Sequence, residues 1–169
     1  MANYNQKVEA DNRKFVPSIR SILYLIGFVL IFALTCAELG LVSQQIHKYG
    51  RFAENYASLQ YKNVLGLLLC ACLVSLLVTI FHLFLNVGFV AFFSLVLAVF
   101  FGTGAGVIRT ATPFRGTSCG RPADAYPEKW QRFAHECSRI VSIEAVAWSL
   151  WGFLRATPGG FYGSHTRSV

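Results

Sequence analysis

The sequence predicts an all-α integral membrane protein, a four-helix bundle with short termini and a longer last loop. The first supporting observation is composition: apolar residues make up 54% of the 169 residues and charged residues only 14%, whereas about 25% is usual in soluble domains. The second is that charges are almost absent from three long stretches. The third is that the apolar runs in those stretches are continuous, which excludes the alternating pattern of a membrane β-barrel.

The three charge-poor stretches have room for four membrane spans. A helix needs about 20 apolar residues to cross about 30 Å of hydrocarbon. The first and third stretches therefore fit one span each, whereas the uncharged residues between Lys62 and Arg109 fit two. The four-transmembrane domain is predicted over residues 19–154. Its spans are residues 19–43, 64–83, 87–108 and 137–154.

A tight turn is predicted between the second and third spans, at Phe81–Gly88. Polar and turn-favouring residues occur near the midpoint of the long apolar stretch only at His82, Asn86 and Gly88. The side chain of Asn86 is predicted to cap the third helix by accepting from its free backbone N–H groups.

The two ends of the chain are predicted to lie outside the bundle. Residues 1–18 form a hydrophilic tail, and residues 155–169, rich in Gly, Ser and Thr and without acids, predict a disordered tail. The first span is predicted to be a retained signal-anchor, because its apolar run is too long for a cleavable signal.

Basic residues give only a weak indication of orientation. The ends and the turn carry six Lys and Arg, and the two longer loops carry nine. Because Lys and Arg are enriched on the cytoplasmic side, this count mildly favours loops that face the cytosol.

Two cysteines lie around the last loop, Cys119 and Cys137, 18 positions apart. If that side of the membrane is oxidising, they form a disulfide that stabilises the fold by about 3 kcal/mol in the chain-entropy model. The alternative is two reduced thiols, and the residues alone leave both interpretations open.

Charged residues inside or beside the spans form the main candidate site. Glu38 is expected late in the first span and Glu144 early in the last, at similar depth because those helices run in opposite directions. Arg109 ends the third span on the same side, and Arg139 lies about a turn above Glu144. One interpretation is a proton- or cation-handling cluster. The other is structural ion pairs or acids that reach interfacial water, and it is favoured because neither acid is expected at a span centre.

Small residues predict close helix packing. The run from Gly102 to Gly106 reads G-x-G-x-G, but it follows an apolar helix rather than a strand, so a dinucleotide loop is excluded. Small residues at helical spacing let membrane helices approach closely, within this bundle or against a partner. The predicted packing residues are Ala33, Ala37, Gly40, Gly102 and Gly106.

Three features of the sequence together suggest a known family. The first is the segment Arg20-Ser-Ile-Leu-Tyr-Leu-Ile-Gly-Phe, which leads into the first span. The others are an unbroken middle hairpin and the stretch from Glu136 to Phe153, with Cys137 just before the last helix. Together they resemble the fungal MARVEL-domain proteins. The resemblance implies four helices, cytosolic termini, loops that face outward and no catalytic residues. It also implies roles in membrane apposition, microdomain organisation or vesicle traffic.

The expected function is therefore non-enzymatic organisation of a plasma membrane or endomembrane through contacts with lipids and between helices. Membrane lipids are the expected partners, with homo- or hetero-oligomers formed through the spans. No nucleic acid partner is predicted, because the basic residues behind the net charge of +7 flank spans. No metal or cofactor is predicted, because Cys70 and Cys72 point to different sides of their helix and the four histidines lie outside the spans or at the turn. One alternative is a small transporter or channel subunit that uses Glu38 and Glu144. The other is a glutathione-dependent four-helix membrane enzyme, for which only Arg109 and Arg139 would be available as ligands.

Overall fold

The computed structural model describes residues 19–82 and 84–162, and the secondary structure of this part is helical. Its five α-helices, numbered along the chain, are α1 (Ile19–Tyr49), α2 (Leu59–Phe81), α3 (Val87–Ala111), α4 (Glu128–Gln131) and α5 (Cys137–Tyr162). Three short 3₁₀ turns lie at Ala53–Asn55, Ala123–Ala125 and Ala134–Glu136. The all-α prediction is confirmed.

The four long helices form one bundle. Each of α1 and α3 packs against both α2 and α5, so the helices follow one another around a ring and neighbours run antiparallel. Fully buried side chains fill the middle of this ring, among them Leu65, Leu68, Phe101, Ile143 and Leu150. The bundle core therefore draws on helices from both ends of the chain.

Three of these helices are long and apolar enough to cross a membrane, over Leu25–Tyr49, Leu59–Phe81 and Gly88–Ala111. Their outer faces carry large exposed apolar side chains such as Leu25, Leu77 and Phe92. An apolar outer surface of this extent is stable in lipid rather than in water. The prediction of a multi-pass membrane protein is thus confirmed, whereas α5 does not meet the same criterion.

The helices extend beyond the predicted spans at the end opposite the tight turn. Helix α1 continues to Tyr49 rather than residue 43, and α2 begins at Leu59 rather than residue 64. The predicted limits were set by charge, but Lys48 and Lys62 lie within helical turns. A lysine at a helix end stays in the helix and extends its long side chain towards water.

The tight turn lies where it was predicted, because α2 ends at Phe81 and α3 begins at Val87. The prediction that the Asn86 side chain caps α3 is wrong: Asn86 occupies the N-cap position, but its side chain makes no capping hydrogen bond. Its exposed amide is free to be solvated instead. A side-chain cap is present on α2, where the Ser58 hydroxyl accepts from the backbone N–H of Tyr61 at 3.3 Å.

The C-terminal tail begins later than expected. Helix α5 continues through Tyr162, so the predicted disorder from residue 155 is wrong for residues 155–162. Buried Leu150 and Leu154 hold the helix against the bundle. Residues 163–169 and the predicted tail 1–18 lie outside the described residues.

The predicted small packing residues fall into two groups. Gly102 lies against α5, where an added Cβ would come within 2.6 Å of the Trp151 ring. Ala33, Ala37 and Gly40 are exposed on the outer face of α1, and Gly106 has no atom within 4 Å of an added Cβ. Of these five predicted residues, only Gly102 therefore serves packing inside the bundle, whereas Gly104 between the two glycines lies against Leu68 of α2.

We expect Gly102→Ala to destabilise the bundle by about 1–3 kcal/mol, because the new methyl group must displace the Trp151 ring. Gly106→Ala makes the same chemical change in the same helix without a clash, and the higher helix propensity of Ala makes it neutral or stabilising by up to about 1 kcal/mol. Denaturant unfolding of both variants in lipid nanodiscs measures the difference. Equal stabilities would contradict the close α3–α5 contact.

The loops opposite the tight turn, residues 50–58 and 112–136, fold into an ordered structure that we call the cap. Aromatic rings form its core, with centroid distances of 5.0 Å between Phe114 and Tyr126 and 5.5 Å between Phe114 and Trp130. Trp130 and Phe133 also contact each other at 5.9 Å. The cap therefore has its own buried core on top of the bundle.

Candidate membrane-embedded polar site

Glu38 lies close to the middle of the first span. It follows Leu25 by about 20 Å and precedes Tyr49 by about 17 Å along the helix axis at 1.5 Å per residue. The prediction that it lies late in the span is wrong, because α1 continues for six residues beyond the predicted limit. An acid at this depth is costly and commonly functional.

Glu38 belongs to a buried polar face of α1. Thr35, Glu38 and Gln45 each have 0% of their surface exposed, and their spacing of three and seven residues places them on one side of the helix. Both carboxylate oxygens of Glu38 lack a hydrogen-bond partner among the described residues. The same is true of Gln45 Oε1 and of the Tyr49 hydroxyl, four residues further along the same face.

Other groups on this face are bonded to α2. The hydroxyls of Thr35 and Ser75 lie 3.3 Å apart, and Thr35 also donates to the Ile31 carbonyl at 2.7 Å. Nearer the cap, Gln45 Nε2 donates to the Tyr61 hydroxyl at 3.2 Å. Two polar contacts thus join α1 to α2, one on each side of Glu38.

Glu144 has a partner of its own. Its carboxylate accepts from the Arg109 guanidinium at 3.3 Å, with 8% of the Glu144 side chain and 58% of the Arg109 side chain exposed. Arg109 thereby keeps one side towards solvent while it neutralises a buried acid. This pair agrees with the structural interpretation of Glu144.

Arg139 lies in a third group, on the cap side of the bundle. It donates to Glu136 at 2.6 Å, and the same buried carboxylate pairs with Lys48 and lies 3.3 Å from His135. The single cluster of Glu38, Glu144, Arg109 and Arg139 that the sequence suggested is therefore wrong. Three separate arrangements replace it: Arg109 pairs with Glu144, Arg139 pairs with Glu136, and Glu38 has no hydrogen-bond partner among the described residues.

Sequence reasoning missed Glu136, the acid at the centre of this group. Its partner Arg139 follows it by three residues, a helical spacing that was visible in the sequence. Its other partner, Lys48, is 88 positions away, and only the packing of α1 against α5 brings them together. Gln45, Tyr49 and Tyr61 were likewise missed as companions of Glu38.

The cysteines around the last loop are joined. Cys119 and Cys137 form a disulfide that ties the cap to the start of α5. Cys36, Cys70 and Cys72 are free thiols, of which Cys72 is buried and the other two are exposed. In the other cap loop, the Tyr56 hydroxyl donates to the Gly50 carbonyl at 2.9 Å, and burial raises the pKa of that hydroxyl.

The helical bundle and its three long apolar helices define the chain as a multi-pass integral membrane protein. No family model, curated protein or solved structure matches it.

Proposed function

We propose that α5 is a fourth membrane span and that the protein organises membranes without catalysis, through contacts with lipids and between helices. The observation that carries this proposal is the contrast between the sides of the bundle and its cap end. The bundle presents apolar and small side chains along its length, and one end bears the ordered cap. The resemblance to fungal MARVEL-domain proteins points to the same function.

The packing of α5 along α3 supports a fourth span. Arg109 contacts Glu144, and Gly102 lies against Trp151. The two contacts are seven residues apart along α3 and also seven residues apart along α5. The two helices therefore run side by side for at least about 10 Å. Since Gly102 lies well inside the span Gly88–Ala111, Trp151 lies at the same depth.

The serines of α5 are compatible with lipid. Ser142 donates to the Ser138 carbonyl at 2.8 Å and Ser149 donates to the Ala145 carbonyl at 2.9 Å. Hydroxyls that are bonded within their own helix present no free donor to hydrocarbon, where an unsatisfied polar group would cost several kcal/mol. The modest hydropathy of α5 thus does not prevent it from spanning.

The exposed face formed by Ala33, Ala37 and Gly40 supports association with a partner helix. No other part of the described chain covers Gly40, and exposed small residues let helices of neighbouring molecules pack closely in lipid. Clustering of copies or of partners through this face is how we envisage that the protein organises its membrane.

The disulfide supports an orientation with the cap outside the cytosol. Disulfides persist on oxidising sides of membranes and are rare in the cytosol. With four spans, both ends of the chain then face the cytosol, in a plasma membrane or endomembrane. This orientation agrees with the resemblance and opposes the count of basic residues.

Clustering in defined vesicles tests the function. We expect donor- and acceptor-labelled copies to show energy transfer above that of a random distribution, without discharge of a proton gradient reported by an enclosed dye. Gly40→Leu should reduce the transfer. Gly66→Leu, also at an exposed glycine with open space around it but on α2, should leave it unchanged. Random distribution of the wild-type protein would contradict the proposal.

A second candidate function is that of a small transporter or channel subunit. The buried carboxylate of Glu38, which has no hydrogen-bond partner in the part of the chain that the structure describes, favours it, whereas Glu144 already pairs with Arg109. Discharge of the gradient by the wild-type protein, lost in Glu38→Gln, would favour this candidate over an organiser.

A further inference from the structure

The buried polar side-chain atoms without a hydrogen-bond partner are not scattered through the described residues. They belong to Glu38, Gln45 and Tyr49, three residues of α1 that follow one another at helical spacings of seven and four. We call these three residues the inner column. Buried polar groups elsewhere in proteins are almost all satisfied, so their concentration on one face of one helix needs an explanation.

The inner column leads from the middle of the bundle towards the cap. Gln45 lies about 10 Å above Glu38 along the helix, and Tyr49 lies about 6 Å above Gln45. The Tyr49 ring contacts Phe133 and Tyr56 of the cap at 5.1 and 5.8 Å. The upper end of the column is therefore the junction between bundle and cap.

The other end of the column is closed. Below Glu38 the hydroxyls of Thr35 and Ser75 face each other, and Thr35 is also bonded to the Ile31 carbonyl. Ile31 itself is buried and apolar. Among the described residues, buried side-chain polar atoms without any hydrogen-bond partner therefore continue from Glu38 only towards the cap.

We propose that the inner column is a hydrated proton inlet that opens at the cap side, and that the Glu38 carboxylate is its proton acceptor. Buried polar groups without protein partners are bridged by internal water, which makes two to four hydrogen bonds. Acids within spans commonly belong to such proton relays. In the step itself, a hydronium ion at the cap side releases a proton along the water chain. One Glu38 oxygen then gains an O–H bond, and neutral water remains at the entrance.

The surroundings of Glu38 favour a single proton as its ligand. Glu38 interacts electrostatically with the buried Cys72 thiol of α2, and so does Cys36 of α1. Arg109 of α3 and Glu144 of α5 pair with each other nearer the cap. Arg155, the described charged residue of α5 nearest to Glu38 in depth, is exposed and stacks on the Trp151 ring at 4.9 Å. No countercharge is therefore assigned to the carboxylate, and a proton removes the cost of its isolated charge.

This inference goes beyond membrane organisation and does not depend on it. Because the column is closed below Glu38, the site binds a proton without transporting it, and its occupancy follows the pH on the cap side alone. The cap-side Tyr49 and Tyr61 hydroxyls belong to the same polar surroundings, and Tyr61 is held by Gln45.

Infrared difference spectroscopy of the full-length protein in nanodiscs tests the site. We expect a protonated carboxylic acid band that responds to pH and is absent from Glu38→Gln, whereas Glu144→Gln retains it. After transfer to D₂O, the shift of this band measures how fast the proton exchanges. Gln45→Leu should slow the exchange at least about tenfold, which corresponds to about 1.4 kcal/mol of added barrier.

Thr35→Val is the matched control, since it removes a polar group on the closed side of Glu38 and should leave the exchange rate unchanged. Slower exchange in Thr35→Val with normal exchange in Gln45→Leu would overturn the proposed direction of the inlet. Persistence of the band in Glu38→Gln would overturn the site. If Glu38→Gln does not fold, the comparison of Gln45→Leu with Thr35→Val still decides the matter. A band shift that requires sodium rather than a pH change would replace the proton by a metal cation and contradict the proposal.

Discussion

We expect Phe133→Ala to lower the free energy of unfolding by about 3–5 kcal/mol, the range for truncation of a buried phenylalanine. Phe133 is 1% exposed, and its ring contacts Tyr49 of α1 and Trp130 of the cap. The truncation therefore leaves a cavity where the cap rests on the bundle. Denaturant unfolding in detergent or nanodiscs measures the loss.

Phe52→Ala is the control for this prediction. It makes the same truncation in the cap, but Phe52 is 75% exposed, and surface substitutions usually change stability by no more than about 0.5 kcal/mol. If both variants were equally stable, the cap would not have the packed aromatic core described above.

The second large effect is expected from loss of the disulfide. Cys137→Ser opens the loop closed between Cys119 and Cys137, and closure of a loop of this length stabilises a protein by about 3 kcal/mol in the chain-entropy model. Cys137 is also buried at the start of α5. We therefore expect the cap to unfold and become susceptible to protease under conditions in which the wild-type protein is resistant.

Reductant provides an internal comparison for this second prediction. Reduction should lower the stability of the wild-type protein to about that of Cys137→Ser, and it should not destabilise the variant further. Cys70→Ser, at an exposed free cysteine of α2, should behave as wild type. A wild-type protein whose stability is insensitive to reductant would show that the two thiols are not joined.

The membrane-crossing helices could be predicted from the sequence because hydrocarbon tolerates few charges, so gaps in the charge pattern mark three of them directly. The ends of these helices could not be predicted in the same way. Lys48 and Lys62 set the predicted limits, yet both lie in helical turns, and the extra length of α1 is what moves Glu38 to the centre of its span.

The candidate site was predictable only in part. An acid in a span is visible in the sequence, and so is a helical spacing such as that of Glu136 and Arg139. The partner of each acid depends on which face of each helix meets which neighbour. The ion pairs of Glu144 with Arg109 and of Glu136 with Lys48 could therefore be identified only from the packed bundle.

The most direct test of the four-span arrangement is the accessibility of single cysteines in intact cells, with Cys36, Cys70 and Cys72 replaced by serine and the disulfide kept. Thr117→Cys is at an exposed position of the cap, and Ser168→Cys lies beyond α5 in the sequence. We expect an impermeant reagent to label Thr117→Cys from outside and to label Ser168→Cys only after permeabilisation. Labelling of both from the same side would contradict a fourth span.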